Sequence, residues 1–257
     1  MKNKLFIKIT RHPEPPNEGS KTRKRFFGQS PQNDANSIKN PAFTLAEVLI
    51  TLGIIGVVAA MTIPTLMNKT NDAEIKTAAK KVYSALSQAT TMIVVNNDAI
   101  DTTDATTERN DYASVMRITK QDTFGNIFPK IYKFYKSSTT EDLTAAASHP
   151  ALALADGAYV WFGISSSDCS SPASGFGIFG ATMTNICGNI DVDVNGSKPP
   201  NMRGKDYLGF WLIRKDGVYQ ILPHGSEGDG LTCVAGSTDW TTSHGCTAYY
   251  MTDKSLP

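Results

Sequence analysis

The sequence lacks the residue patterns by which most enzymes and metal centres are found. Its 257 residues include four cysteines and four histidines, and they contain no Cys-x-x-Cys, His-Glu-x-x-His or Gly-x-Ser-x-Gly motif and no phosphate-binding glycine loop. Such motifs carry zinc sites, nucleophilic serines and nucleotide phosphates. We therefore predict that the protein is not an enzyme, that it has no catalytic residues and that it requires no cofactor.

Charge is also scarce, and it is unevenly distributed. Charged residues make up 19% of the chain, hydrophobic residues 40%, and the formal net charge is +1. These values exclude a polytopic membrane protein, a collagen-like chain, a fully disordered chain and a strongly basic nucleic-acid binder. However, residues 1–42 carry nine basic and three acidic side chains, and the rest of the chain is net acidic. We interpret residues 1–42 as a disordered basic leader with a separate role.

A long hydrophobic run follows the leader. Residues 43–63 include no basic side chain and a single acid, Glu47. As a helix, 21 residues span about 32 Å, which is enough to cross the hydrocarbon core of a bilayer. The basic leader precedes the run and only Lys69 lies close behind it. This bias predicts a single membrane span with its N-terminus in the cytoplasm.

Beyond this run the pattern becomes amphipathic and then β-like. Residues 64–97 are predicted to continue the helix, with a kink at Pro64 because proline removes an amide donor. Apolar residues recur there at three- and four-residue steps, at Ile75, Ala79, Val82, Leu86, Ala89 and Ile93. Residues 98–257 are predicted to form an α+β head. Strands are expected at 158–164, 186–194, 207–214 and 217–222, the last two joined by a hairpin, and the last 35 residues are expected to be loop.

The boundary between leader and hydrophobic run carries the most specific motif. Residues 41–50 read Pro-Ala-Phe-Thr-Leu-Ala-Glu-Val-Leu-Ile. This segment strongly resembles the N-terminus of type IV pilins and type II secretion pseudopilins, as does the position of Pro64. The resemblance implies that prepilin peptidase cuts between Ala42 and Phe43 and then methylates the new α-amino group of Phe43. Ala42 departs from the glycine that is usual before the cut, so cleavage is expected to be slower.

The resemblance also implies a role for Glu47 in assembly. A carboxylate inside a bilayer costs about 2.5–3.5 kcal/mol on insertion scales, so Glu47 requires a partner. In a filament, the amine of Phe43 on a neighbouring subunit could supply it. Two alternatives stay open: a protonated, neutral Glu47 near the interface, and a secretory signal that is cleaved after residues 58–60.

The family resemblance implies an antiparallel sheet packed on the second half of the long helix, and a mechanical function. The protein would be a structural subunit of a type IV pilus or a type II secretion pseudopilus. Its partners would be other filament subunits, prepilin peptidase and the inner-membrane assembly platform. The precursor would lie in the bacterial inner membrane with its head in the periplasm, or outside the cell in the filament. The alternative is a membrane-anchored binding module, either an adhesin or a minor tip pilin.

All four cysteines lie in the second half of the chain. An even count in an exported domain favours disulfides. Three pairings are possible, and the short local loops favour Cys169–Cys187 and Cys233–Cys246. The nearness of His244 to Cys246 is interpreted as an exposed turn rather than as a metal pair.

One segment of the head resembles the opening of a calcium loop. Asp191, Asp193 and Asn195 alternate with apolar residues and precede Gly196, which predicts a calcium site with these three ligands. The closing acid of such a loop is missing, because Met202 occupies its place. The alternative is an exposed strand edge that ends in an Asn-Gly turn.

Overall fold

The structure is a computed structural model that describes residues 43–164 and 166–252. The predicted leader, including Ala42, lies outside the described residues. The architecture is α+β, as predicted, with one long helix and one nine-stranded sheet. Contacts divide the chain into two units, residues 1–52 and 53–257.

The long helix α1 runs from Leu45 to Asn97 and continues through Pro64. By length and composition it is able to cross a membrane. Every large apolar side chain between Leu45 and Met67 is exposed. This exposed stretch is the part of the helix that lies in the predicted span.

The second half of α1 has a buried face. The six apolar residues of the three- and four-residue pattern are each 5% exposed or less, and they pack with the sheet in one hydrophobic cluster. On the sheet side this cluster includes Val160, Ile190, Val192 and Phe210. The pattern of residues 75–93 therefore marks the face that joins helix and sheet.

The other elements follow α1 in the order α2, β1, α3, β2 to β9, α4 and α5. Their bounds are α2 Ala105–Val115, β1 Ile118–Thr123, α3 Phe124–Ile127, β2 Ile131–Phe134, β3 Thr140–Asp142, β4 Pro150–Leu154, β5 Tyr159–Ile164, β6 Ile186–Asp193, β7 Met202–Arg203, β8 Tyr207–Lys215, β9 Val218–Pro223, α4 Trp240–His244 and α5 Thr247–Met251. The strand order is β1-β4-β5-β6-β8-β7-β2-β3, and β9 pairs with β8. The sheet is mixed rather than purely antiparallel, because β7 runs parallel to both β2 and β8.

The predicted strands correspond closely to β5, β6, β8 and β9. Between β8 and β9, Asp216 and Gly217 both have positive φ, as a two-residue hairpin turn of type I′ requires. Four further strands, β1 to β4, lie in the part of the chain that precedes residue 158. The expectation that the last 35 residues are loop is wrong, since α4 and α5 lie there. Both helices have five residues, which is too short for a periodic pattern.

The central strands β6 and β8 are covered on both faces. The face opposite α1 packs against two smaller clusters, one around Phe124, Tyr132 and Tyr207 and the other around Trp211 and Leu231. Consequently β6, which lies between β5 and β8, has no solvent-facing side. The expected exposed strand edge at Asp191 and Asp193 is therefore wrong.

Candidate functional site

The start of α1 forms a capping box. Backbone N–H and hydroxyl of Thr44 both donate to Oε2 of Glu47, at 2.9 and 2.8 Å, and the backbone N–H of Glu47 donates to Oγ1 of Thr44 at 3.2 Å. The sequence Thr-x-x-Glu encodes this arrangement, which satisfies amides that have no partner within the helix. Glu47 therefore has a structural partner in its own chain.

Phe43 and Glu47 are exposed, which leaves them accessible to other molecules. Among the described residues, no group donates a hydrogen bond to Oε1 of Glu47. This oxygen can therefore accept an external cation while Oε2 keeps the cap. Cleavage after Ala42, methylation of Phe43 and the assembly role of Glu47 stay predictions.

Two disulfides join the cysteines in the locally closed pairs. Cys169 bonds to Cys187, and Cys233 bonds to Cys246. No cysteine is free among the described residues. The first disulfide ties the loop after β5 to β6, and the second ties the loop after β9 to Cys246, which directly precedes α5.

Asp193 and Asn195 lie in a polar network with Asp206. The hydroxyl of Tyr132 donates to Oδ2 of Asp193 at 2.7 Å, and the backbone N–H of Asn195 donates to its Oδ1 at 3.2 Å. Oriented to donate, the side-chain amide of Asn195 reaches both Asp193 and Asp206. Burial raises the pKa of Asp193 to about 8, and the neighbouring Asp206 adds to this increase.

Asp191 has different neighbours, although it points to the same side of β6. The indole N–H of Trp161 donates to the hydroxyl of Tyr207 at 2.7 Å, and this hydroxyl donates to Oδ2 of Asp191 at 3.2 Å. Burial raises the pKa of Asp191 to about 7, against the opposing effect of Arg203. In the described chain, Asp191 and Asp193 do not join in one cluster of metal-ligating side chains. Calcium binding by Asp191, Asp193 and Asn195 stays a prediction.

The carboxylate of Asp191 instead faces two histidines. His224 follows β9 directly, and His244 ends α4; the two Nδ1 atoms are 3.0 Å apart. Both side chains are buried, so the expected exposed turn at His244 is wrong. Burial lowers the pKa of His224 to about 3 and that of His244 well below its usual value, and the nearby Arg203 lowers both further.

The histidine pair was missed because its members are 20 residues apart and follow no ligand-spacing motif. One local signal exists, since each histidine precedes a glycine. A Cβ at Gly225 would overlap the carbonyl oxygen of Gly245. The backbones of the two His-Gly pairs thus pack against each other. This close contact requires glycine at position 225, because any side chain there would collide with Gly245.

Comparison with known proteins gives two matches along the chain. Residues 39–63 match the prokaryotic N-terminal methylation motif, and residues 65–220 match a family of unknown function, DUF6613. No curated protein and no solved structure matches the chain. The first match is the signature of type IV pilins and pseudopilins. It includes the capping box and most of the exposed apolar stretch of α1. The second covers more than half of the chain, so the protein belongs to the DUF6613 family and carries a pilin-type methylation motif at its N-terminus.

Proposed function

We propose that the protein is a structural subunit of a type IV pilus or type II secretion pseudopilus, held in the assembly by α1. The observation that carries this proposal is the methylation motif at residues 39–63 on a helix whose apolar side chains are exposed. In this function the head covers the helices that form the filament core, and the protein is not an enzyme.

The exposed apolar stretch needs a nonaqueous environment. Thirteen large apolar side chains between Leu45 and Met67 are exposed. Burying each contributes roughly 1.5–3 kcal/mol, so leaving them all in water would cost more than the usual stability of a domain. A bilayer covers them in the precursor, and neighbouring helices cover them in a filament.

Assembly then requires the precursor to be processed. Prepilin peptidase removes residues 1–42 and methylates Phe43, and the inner-membrane platform adds the subunit to the filament. The leader stays in the cytoplasm because of its basic charge, and the head lies in the periplasm or outside the cell. The free Oε1 of Glu47 faces the methylated amine of a neighbouring Phe43.

Processing is tested by N-terminal mass spectrometry of the full chain produced together with prepilin peptidase. We expect a mature protein that begins at N-methylated Phe43. A start at Met61 would mean that residues 43–60 are a secretory signal, and an intact Met1 would mean an unprocessed anchor. Either result would contradict the proposal.

Incorporation is tested in cells that contain the assembly platform. Filaments sheared from these cells should contain the mature protein along their length, as detected by immunogold labelling. If the protein is found only at the filament tip, it acts as a minor tip pilin. If it stays entirely in the membrane fraction, it acts as an anchored binding module.

A further inference from the structure

The side of the sheet opposite α1 contains a buried group of three potential metal ligands. Asp191 lies on β6, His224 follows β9 and His244 ends α4. Their relative exposures are 3%, 2% and 7%. Two imidazoles and a carboxylate rarely occur together in an interior unless they are bonded to each other or to a ligand.

The spacing of the ligand atoms suits one metal ion. A ring nitrogen of each histidine and a carboxylate oxygen of Asp191 all lie within 4.8 Å of one another. The two Nδ1 atoms are 3.0 Å apart. Two nitrogens bound to one tetrahedral zinc ion at 2.0–2.1 Å would be about 3.3 Å apart. The observed separation of the two histidine nitrogens is therefore within a few tenths of an ångström of the tetrahedral value.

The protein leaves these groups short of partners. Among the described residues, Oδ1 of Asp191 and the Nε2 atoms of both histidines have no hydrogen-bond partner. The two Nδ1 atoms bond to each other, and no other group in residues 43–164 and 166–252 bonds to either of them. A buried carboxylate oxygen without a partner is costly, and a cation beside it removes this cost.

Gly209 allows His224 and Asp191 to approach each other closely over β8. A Cβ at this position of β8 would collide with Nδ1 of His224 and would lie 2.8 Å from Oδ1 of Asp191. Both ligand atoms therefore pack directly on the glycine. Any larger residue here would push the imidazole and the carboxylate away from their positions.

The surrounding framework holds the ligands in place. The backbone N–H of His224 donates to Gly209, its carbonyl oxygen accepts from Ala248, and Gly209 donates to the hydroxyl of Thr247. The Cys233–Cys246 disulfide fixes the chain two residues after His244. Such support from outside the ligand set is what orients metal ligands in proteins.

Charge and cavity shape complete the site. The positive charge of the nearby Arg203 is offset by Glu141, whose Oε2 lies 2.6 Å from its Nε. The ligands also line a cavity of about 290 Å³, with tryptophan walls formed by Trp161, Trp211 and Trp240. A metal ion with three protein ligands has a fourth position, and this cavity can accommodate the molecule that occupies it.

We propose that Asp191, His224 and His244 form a binding site for one divalent transition-metal ion, with zinc as the first candidate. Imidazole donors favour zinc, copper, iron or nickel, whereas calcium requires a shell of six to eight oxygens. The site shares Asp191 with the predicted calcium site, which needs Asp193 and Asn195 as well, so the two predictions compete for this carboxylate.

The test uses the full-length protein purified in detergent and stripped with a chelator. Isothermal titration and elemental analysis should give one zinc ion per chain, and cobalt should produce the absorption spectrum of a tetrahedral site. His224→Gln and His244→Gln should each weaken zinc binding by at least about 100-fold. His149→Gln is the matched control, because this half-buried histidine lies outside the site, and it should bind zinc like the wild type.

Two further measurements keep the test decisive if a histidine variant fails to fold. Zinc should raise the Tm of the wild type, and Asp191→Asn should lose this shift. Calcium should not reproduce it. The proposal is overturned if the wild type binds no zinc at micromolar concentration, or if the folded variants bind zinc as well as the His149→Gln control. It is also overturned if calcium alone raises the Tm and Asp193→Asn abolishes that effect.

Discussion

At the residue scale, Glu47 combines a local role with an intermolecular one. Its Oε2 caps α1 through Thr44, and the proposed salt bridge uses the same carboxylate. The two roles can be separated, because glutamine keeps a carbonyl oxygen for the cap and loses the charge. We expect Glu47→Gln and Glu47→Ala to insert into the membrane at least as well as the wild type, since an intramembrane carboxylate costs about 2.5–3.5 kcal/mol.

Both variants should nevertheless yield few sheared filaments, because neither can bind the amine of a neighbour. The matched control is Thr44→Ala, which weakens the cap by about 0.5–2 kcal/mol and keeps the charge, and it should still assemble. The measurement is the yield of filaments relative to membrane-inserted precursor. If Glu47→Gln yields as many filaments as the wild type, the helix cap is the only role of Glu47 in assembly. The proposed salt bridge with a neighbouring Phe43 would then be wrong.

Glu108 offers a test of the head that does not depend on assembly. It is fully buried on α2, and neither of its carboxylate oxygens has a partner among the described residues. Burial raises its pKa well above 4.5, and Asp111 adds to this. Below pH 4.5 the group is protonated in both the folded and the unfolded state. As the pH rises towards the folded-state pKa, only the unfolded chain ionises, so the folded state loses stability.

Glu108→Gln should remove this dependence on pH. The free energy of unfolding of the wild type should fall with rising pH more steeply than that of the variant, by about 1.4 kcal/mol per pH unit above pH 4.5. Urea unfolding of a soluble variant that begins at Thr70 gives both slopes. Glu227→Gln, at an exposed position, serves as the control and should leave the slope unchanged. Parallel curves for the wild type and Glu108→Gln would contradict the prediction.

At the element scale, the two halves of α1 differ in which of their apolar side chains are exposed. The first half is apolar on its exposed surface, whereas the second buries a single stripe against β5, β6 and β8. Leu86 lies in this stripe and is fully buried, and Val95 is 76% exposed near the end of the same helix. Shortening a side chain to alanine should therefore lower the stability of the head only on the buried face of this helix.

Leu86→Ala should lower the free energy of unfolding of the soluble head by about 2–5 kcal/mol, because it removes buried methyl groups and leaves a cavity. Val95→Ala should change it by no more than about 0.5 kcal/mol. Urea titration of both variants provides the comparison. Equal losses at the two positions would mean that the stripe does not join helix and sheet.

At the scale of the whole molecule, the two disulfides stabilise parts of the head that have little regular structure. They close sequence separations of 18 and 13 residues. In the chain-entropy model each contributes about 3 kcal/mol by restricting the unfolded chain. Replacing both cysteines of one disulfide with serine should lower the free energy of unfolding by about this amount. The comparison uses urea unfolding of two double variants, one for Cys169–Cys187 and one for Cys233–Cys246. Only the loss of the Cys233–Cys246 disulfide should also weaken zinc binding, because this disulfide lies beside His244. Equal zinc affinity in the two double variants would contradict this prediction.

Much of the architecture could be predicted because it depends on local patterns. The spacing of residues 75–93 marks the buried face of α1, and β-branched and aromatic residues mark β5, β6 and β8. Asp216 and Gly217 specify the hairpin turn, and Thr44 with Glu47 specifies the helix cap. In each case the pattern is formed by residues that are neighbours in the chain, so their identity and spacing are sufficient.

Other features depend on contacts between distant segments. The short strand β7 lies beside β2, about 70 residues earlier, and neither strand carries a pattern that selects a parallel partner. The alternation of apolar and polar residues along β6 predicts which side chains share a face of the sheet. It does not predict that the face with Asp191 and Asp193 is buried, because that burial depends on the packing of Tyr132 and Tyr207.

Local sequence patterns are sufficient to identify the methylation motif, the long helix with its apolar and one-sided halves, and the strands β5, β6, β8 and β9, because each is encoded within a few helical turns or one strand of the chain. The contact of His224 and His244 beside Asp191 is visible only in the folded chain. Their contact depends on how β6, β9 and α4 pack together, and on glycines that allow close approach. Such a contact arises from the shape of the folded chain, which the spacing of residues along the sequence does not encode.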